Sequence, residues 1–507
     1  MQFLKTHMKL KNWILLLLFI PGPSAFAQNP ATQYSNLITE EGLKEYLSIL
    51  ASDALEGRET GKRGQKMAAA FIKAHFEELG LAGPVSSGGY YQAVPLYSSV
   101  PGNSYLKLGE TTYKNFEQVI YYGGGSVSET SAPVVFAGAG RKEDFDQLEV
   151  ENKVVLMQTS KDGSPRSGIN LAMERKAKVV LLYYETEDSF KEILQQFKTY
   201  LSGDQVSLEK PEEGPSNRGV FIIPPSLAAK IMNTSVEKIN AAAKADVKKK
   251  ALKKMKPGKV TYAYATDLKE IKSDNVLGYM EGTDKKDEVI VITAHYDHIG
   301  KEAEGTGDLI NNGADDDGSG TVSVMQIAEA FAQAKKDGKG PRRSILFMLV
   351  TGEEKGLLGS DFYTQNPVFP LNKTVVNLNL DMVGRRDPQH KDSEPYVYVI
   401  GSDKLSSELH ALSETVNKDN LNLVFDYTYN DQNHPERLYY RSDHWNFAKN
   451  NIPIIFYFDG IHEDYHRPSD EVDKIEFGLL KKRAQTVFLT AWEIANREQT
   501  IKPDQAK

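Results

Sequence analysis

The fold is decided by the stretch VIVITAHYDHIG at residues 289–300, in which an apolar run leads directly into histidine and aspartate side chains. Three similar apolar runs follow along the chain, and helical spacing of apolar residues separates them, as at 321–334. Their Val, Ile and Leu content indicates strands buried on both faces of a sheet. We therefore predict an α/β fold with a mostly parallel central sheet flanked by helices. The four predicted strands are Val289–Thr293, Ser344–Val350, Val375–Leu380 and Ile452–Phe458.

Side chains of the kinds that bind metal ions follow each of these strands. Ligands of open α/β sheets bind beyond the carboxyl ends of the strands, so we expect these side chains to meet at one edge. A run of three aspartates also precedes the helix between the first two strands. The candidates are His295 and Asp297, then Asp315, Asp316 and Asp317, then Glu353 and Glu354, then Asp381, and finally His462, Glu463, Asp464 and His466.

Carboxylates gathered at one edge would repel one another unless cations neutralised them. Histidine nitrogen with carboxylate oxygen, and no sulfur, favours zinc in a hydrolytic site. The chain has no cysteine, which excludes thiolate zinc sites and a cysteine nucleophile. A carboxylate shared by two ions would hold them about 3.5–4 Å apart, as in co-catalytic hydrolases. Glu353 would then be free to act as a general base on bound water.

The stretch HEDYH at residues 462–466 offers a competing interpretation, because it matches the H-E-x-x-H pattern of single-zinc proteases. That pattern requires a helix that places both histidines on one face. Gly460 precedes the stretch and Pro468 follows it, which leaves room for little more than a turn or two of helix. The single-zinc site remains an alternative to the larger constellation.

Five motifs resemble the co-catalytic di-zinc aminopeptidase family in both order and spacing. The resemblance covers about 36–123 and 275–498 of the chain. The motifs are AHYDHIG at 294–300, NGADDDGSG at 312–320, GEEKGLLGS at 352–360, NLDMVG at 379–384 and YHRPSD at 465–470.

This resemblance implies a role for each candidate side chain. The bridging position falls on the middle of three aspartates, so the neighbouring aspartates remain possible at that place. The implied roles are His295 and Asp381 on one zinc ion, Glu354 and His466 on the other, Asp316 bridging both, Glu353 as general base, Asp297 orienting His295, and Tyr465 contacting the substrate carbonyl oxygen.

Between about 123 and 258 the sequence changes to short β-rich runs separated by turns. These runs, for example Val134–Ala137 and Val179–Tyr184, predict a module with its own core. The module resembles the protease-associated domain that is inserted in several members of the family. The predicted division is a signal peptide at 1–27, the N-terminal part of the peptidase domain at 36–122, the insert at 123–258 and the catalytic zinc peptidase domain at 275–498.

The first residues have the features of a secretory signal peptide. Three lysines precede the apolar run Trp13–Ile20, and Ala25-Phe26-Ala27 gives a small-x-small cleavage pattern. The run is shorter than the ~20 residues of a membrane-spanning helix. Cleavage would leave 58 basic and 69 acidic residues, a net charge of −11, which disfavours nucleic-acid binding. We expect export to the periplasm or medium, without a membrane span after cleavage.

The sequence thus predicts a zinc-dependent exopeptidase, and foremost an aminopeptidase acting on peptides with a free N-terminus. Two zinc ions per chain would activate the water whose proton Glu353 takes. A carboxypeptidase or a glutaminyl cyclase on the same scaffold is the nearest alternative. A non-catalytic, receptor-like protein is disfavoured, because all five metal positions and the base are present.

Overall fold

The structure is a computed structural model that describes residues 30–123, 125–146, 148–159, 165–201, 205–210, 219–244, 255–302 and 305–505. The predicted signal peptide lies outside these residues. Across the described ranges, no helix combines the length and the apolar character needed to cross a membrane.

The α-helices agree with the apolar spacing of the sequence. The helix Glu40–Leu50, for example, begins after Thr39, whose hydroxyl accepts a hydrogen bond from the Gly42 N–H at 3.0 Å. In the described residues the α-helices are Pro30–Ser35, Glu40–Leu50, Arg63–Glu78, Arg166–Glu174, Glu187–Leu201, Pro225–Ile231, Val236–Ala243, Gly320–Lys336, Leu358–Gln365, Ser407–Asn420, His444–Ala448 and Phe477–Asn496.

The strands form two large sheets and one short pair. They are β1 Tyr91–Pro101, β2 Tyr105–Leu108, β3 Thr111–Lys114, β4 Ile120–Tyr122, β5 Val127–Phe136, β6 Val154–Gln158, β7 Val179–Tyr183, β8 Gln205–Ser207, β9 Val220–Ile223, β10 Lys259–Tyr264, β11 Thr266–Met280, β12 Lys285–His295, β13 Gly300–Lys301, β14 Ile310–Asn311, β15 Arg343–Val350, β16 Thr374–Leu380, β17 Tyr396–Ile400, β18 Val424–Asp426 and β19 Ile454–Phe458.

The larger sheet has the strand order β18-β17-β19-β16-β12-β15-β11-β1-β8. The four predicted strands lie together at its centre as β19, β16, β12 and β15, all parallel, which confirms the predicted fold class. The flanking pairs β17–β19 and β11–β15 are antiparallel. The edge strand β18 pairs parallel with β17, so the sheet is mixed, with an uninterrupted parallel block of four strands at its centre.

The register of the central strands brings their carboxyl ends to one edge. His295 pairs with Val350, and Thr293 pairs with Asn379. His295 and Asp381 each come two residues after the paired Thr293 and Asn379. They therefore lie beside each other at the end of the two strands.

Alternate residues of β12 enter two different cores, as expected for a strand covered on both faces. Ile290 and Ile292 join the larger apolar cluster with the long helices, whereas Val289 and Val291 join a cluster on the opposite face. Both clusters are buried, so the central strands provide a rigid support for the side chains at their ends.

The second sheet has the order β3-β2-β10-β5-β6-β7-β9-β4 and apolar clusters of its own. The chain leaves the central sheet after β1 and returns in β11, which runs antiparallel beside β1. The strands of the second sheet come from 105–264, a wider range than the predicted insert at 123–258. Within that range, β8 pairs with β1 of the central sheet. The insert bounds and its protease-associated character remain predictions.

Candidate metal centre

His295 ends strand β12 and directs its ring toward two carboxylates. Its backbone N–H donates to Asp317 Oδ2 at 3.0 Å, and its Nδ1 lies 3.0 Å from the carbonyl oxygen of Asp297. The free Nε2 is 3.2 Å from Asp316 Oδ1 and 3.7 Å from Asp381 Oδ1. His295, Asp316 and Asp381 form one group whose ligand atoms could share a metal ion.

A second group forms around the other oxygen of Asp316. The Oδ2 atom of Asp316 lies 3.0 Å from His466 Nε2, which is also 3.1 Å from Glu354 Oε2. The Oε1 atom of Glu354 lies 2.7 Å from His298 Nδ1. Asp316 thus presents one carboxylate oxygen to each group, which is the geometry that a bridging ligand requires.

The other two aspartates of the run bind protein groups instead. The carboxylate of Asp317 accepts hydrogen bonds from the backbone N–H groups of His295, Gly320 and Met382. Asp315 accepts from the Gly384 N–H at 2.7 Å and contacts a histidine through its second oxygen. Of the three aspartates, Asp316 is therefore the one whose two carboxylate oxygens face the candidate ligand groups.

Glu353 and Glu354 follow strand β15 but face different surroundings. Glu353 Oε2 lies 3.9 Å from His295 Nε2, and Glu353 belongs to neither group of potential ligands. Burial, together with the carboxylates of Asp381 and Glu354, raises the pKa of Glu353 well above its usual value.

The carboxylate of Asp297 contacts the glutamate loop rather than His295. Its Oδ1 accepts from the Glu353 N–H at 3.3 Å, and its Oδ2 accepts from the Thr60 hydroxyl at 2.6 Å. Its Oδ1 is 3.9 Å from His295 Nδ1. The role implied for Asp297, orienting His295, is thus filled by its carbonyl oxygen in this structure, and its side chain fixes the backbone of Glu353.

A buried arginine that sequence analysis did not identify holds the loops of the site together. The Arg58 guanidinium donates to the carbonyl oxygens of Tyr296 at 2.9 Å, Asn312 at 2.6 Å and Gly313 at 2.9 Å. It also donates to the carbonyl oxygen of Leu50 at 2.8 Å. None of the five motifs contains Arg58. Its buried position is explained by the carbonyl oxygens it binds, most of which are far from it in the sequence.

The H-E-x-x-H alternative lacks the helix that it needs. Residues 461–470 form turns, and His462 Nε2 contacts Asp315 Oδ2 at 3.1 Å. Glu463 is exposed. His466, in contrast, reaches Asp316 and Glu354, so the structure separates the two histidines that a single-zinc site would bring together.

The polar atoms of both groups fit metal ions. His295 Nε2, His466 Nε2 and Glu354 Oε1 are buried without a hydrogen bond of acceptable geometry among the described residues, and such atoms are rare in folded proteins. Although burial opposes charging, contacts with Asp316 and Glu354 raise the pKa of His466 to about 10. A zinc ion can replace that proton, since metal binding releases protons from its ligands.

Comparison with known proteins agrees with this geometry. Residues 275–491 match the family model described as Peptidase family M28. This segment is therefore similar to M28 peptidases. Aminopeptidase YwaD of Bacillus subtilis is 27% identical over 240 residues, which cover 45% of this chain and 46% of that protein. A probable glutamate carboxypeptidase, LAMP1 of Arabidopsis thaliana, is 25% identical over 319 residues, covering 57% of this chain and 45% of that protein. The matched part thus spans about half the length of these relatives.

A solved structure extends the similarity to the whole fold. The aminopeptidase from Aneurinibacillus sp. strain AM-1 superposes with a TM-score of 0.55 at 18% identity, covering 94% of this chain and 97% of that chain. At this identity the likeness shows a shared α/β fold.

A small cleft adjoins the two candidate ligand groups. Its lining includes Asp316, Glu353, Asp381 and Tyr465. Burial and the neighbouring carboxylates raise the pKa of Tyr465, so its hydroxyl stays protonated and can donate a hydrogen bond. The apolar walls of the cleft come from Met382, Leu438, Phe456, Phe458 and Ile461.

Proposed function

We propose that this protein is an aminopeptidase with two zinc ions per chain, which hydrolyses the bond after the N-terminal residue of a peptide. The observation that carries the proposal is Asp316, whose two carboxylate oxygens face two separate groups of ligands. A shared carboxylate of this kind is typical of two-metal hydrolases. The similarity to M28 peptidases and aminopeptidases supports the same conclusion.

The zinc ions, when bound, supply Lewis-acid polarisation of a carbonyl group and lower the pKa of a water molecule. Glu353, whose backbone is fixed by Asp297, accepts the proton of that water and passes it to the leaving amine. Burial and the neighbouring carboxylates raise its pKa, which strengthens Glu353 as a proton acceptor. Tyr465 donates a hydrogen bond to the carbonyl oxygen as negative charge develops there.

The cleft supports a free amine substrate with an apolar N-terminal side chain. Half of its lining residues are apolar, and its carboxylates include those of Glu353 and Asp381, which attract an ammonium group. Arg441 also lines the cleft, but its Nη1 is paired with Glu436 Oε2 at 2.9 Å. The remaining N–H groups of Arg441 could still bind a substrate carboxylate, so the peptide panel described below decides on the carboxypeptidase alternative.

We further propose export to the periplasm or medium after removal of residues 1–27, on the evidence of the N-terminal sequence. We also propose that the region of the second sheet is a protease-associated insert that shapes access to the cleft. N-terminal sequencing of protein recovered from outside the cytoplasm checks the export proposal, because an intact Met1 would contradict it.

The substrate proposal is tested with a panel of peptides that share one apolar residue. One peptide has a free amine, one has a blocked amine with a free carboxylate, and one begins with glutamine. We expect hydrolysis of the free-amine peptide, little hydrolysis of the blocked peptide, and release of glutamine without cyclisation. Preferred cleavage of the blocked peptide, or formation of pyroglutamate, would replace the proposal with one of the two alternatives.

A further inference from the structure

We infer that His298 is a fourth protein ligand of the zinc ion held by His466, a role that neither the motifs nor the family resemblance assigns. The inference depends on the proposed function only in requiring zinc at this position. It gives the two metal groups different characters, one closed by protein ligands and one open.

The backbone of His298 is fixed by the same arginine that joins the loops of the site. Its N–H donates to the carbonyl oxygen of Arg58 at 3.1 Å, while the Arg58 guanidinium holds the carbonyl oxygens of Asn312 and Gly313. The side chain of His298 is fully buried. The ring therefore occupies a defined place three residues beyond His295.

A glycine leaves the space that the His298 ring needs. Gly313 has a φ of +56°, and a Cβ at this position would lie 2.5 Å from His298 Cδ2. The ring consequently turns its Nδ1 toward the second metal group, 2.7 Å from Glu354 Oε1 and 3.9 Å from Asp316 Oδ2. The rings of His298 and His466 are 5.7 Å apart at 72°, so both nitrogens can approach one ion.

Neither ring nitrogen of His298 has a hydrogen bond of acceptable geometry within the described part of the chain, and the same holds for Glu354 Oε1. Buried polar atoms of this kind are normally satisfied. A cation between His298 Nδ1 and the carboxylates would satisfy the buried atoms that face the site. The direct contact between these atoms does not satisfy them, because its geometry is not that of a hydrogen bond.

The distances are close to those between ligand atoms around one zinc ion. Bonds of 2.0–2.1 Å in a tetrahedral site place ligand atoms about 3.3 Å apart. Asp316 Oδ2 lies 3.0 Å from His466 Nε2 and 3.9 Å from His298 Nδ1. The two histidines face different oxygens of Glu354, at 2.7 Å for His298 and 3.1 Å for His466. Four protein ligands would close this site, whereas His295, Asp316 and Asp381 would leave the other ion an open position. Closed sites are typical of retained ions and open sites of ions that take water or substrate.

Zinc retention tests this assignment with two variants. His298→Ala removes the proposed ligand, and His75→Ala removes another buried histidine, which contacts the carbonyl oxygen of Met325. Zinc per chain is measured by elemental analysis after equilibration against graded chelator concentrations. We expect His298→Ala to weaken the binding of one zinc ion by more than about 100-fold. Losing a partner outside the ligand shell lowers metal affinity by only roughly 10–100-fold. We expect His75→Ala to keep both. A loss below 100-fold in His298→Ala would overturn the assignment.

A crystal structure of the zinc-loaded natural protein gives a second test that does not depend on a variant's folding. The account predicts a distance of about 2.0–2.1 Å from His298 Nδ1 to the ion beside His466, and a separation beyond about 3 Å would contradict it. The peptide panel judges the function separately. A protein with zinc on His298 and no peptidase activity would refute the function alone.

Discussion

The different roles proposed for Glu353 and Glu354 give the sharpest prediction. Glu353→Gln keeps the shape of the side chain and the backbone hydrogen bond to Asp297 but cannot accept a proton. A positioned general base contributes about 10²–10⁴-fold to rate, which corresponds to about 2.7–5.4 kcal/mol of activation free energy at 1.36 kcal/mol per tenfold. We therefore expect kcat to fall by that factor while zinc content stays near two per chain.

Glu354→Gln is the matched control, because the two glutamates are adjacent but only Glu354 belongs to a ligand group. We expect this variant to lose zinc, with activity falling in proportion to the occupied sites. The assay combines steady-state kinetics on a free-amine substrate with elemental analysis of the same preparation. Loss of metal in Glu353→Gln, with retention in Glu354→Gln, would refute the assignment and reverse the two roles.

Three further predictions concern the final loop and the buried arginine. His466→Ala should lose one zinc and nearly all activity, whereas His462→Ala and Glu463→Gln should keep both ions and a measurable rate; metal loss in His462→Ala with an inactive Glu463→Gln would revive the single-zinc site. Burial opposes charging of His462, but its aspartate partner raises its pKa to about 9. This pKa exceeds the unfolded value of about 6.5. The charged His462 therefore contributes about 3 kcal/mol to the free energy of unfolding below pH 6.5, and this contribution is lost as pH rises through 9. Denaturant titrations at several pH values should show this loss in the metal-free protein and not in His462→Ala. Arg58→Met should lower the free energy of unfolding by at least about 4 kcal/mol, since four buried carbonyl oxygens lose their donor at about 1–3 kcal/mol each; a change below 1 kcal/mol in the same titration would show that these bonds are dispensable.

The sequence predicted the centre of the fold because buried parallel strands have a strong local signature. The run at 289–293 has the apolar content of a strand covered on both faces, and β12 confirms it. Parallel strands end at the same edge, so the side chains that follow them were expected to meet. The structure does bring His295, Asp316, Glu354, Asp381 and His466 together.

The contacts that the sequence did not reveal depend on groups far apart in the chain. Arg58 binds the carbonyl oxygens of Asn312 and Gly313, and backbone carbonyls have no residue-specific signature. The direction of the His298 ring depends on the absence of a Cβ at Gly313, which lies fifteen residues further along the chain. In the sequence, His298 is one residue of a loop. The burial of its side chain and the direction of its ring result from the packing of two loops.

The bounds of the second sheet show a similar limit. The strands β2, β3 and β4 precede residue 123 and β10 follows residue 258, because the chain enters and leaves this sheet through the paired strands β1 and β11. A change of amino-acid composition indicates approximately where a module begins. It does not mark which flanking segments complete the sheet by hydrogen bonding.

Activity as a function of zinc content tests the central claim most directly. Metal-free protein is prepared with a chelator and verified by elemental analysis, and zinc is then added in steps while hydrolysis of a free-amine peptide is followed. The account predicts no activity without metal and a rise that reaches its plateau at two zinc ions per chain. Full activity in the verified metal-free protein, or a plateau at one ion per chain, would contradict it.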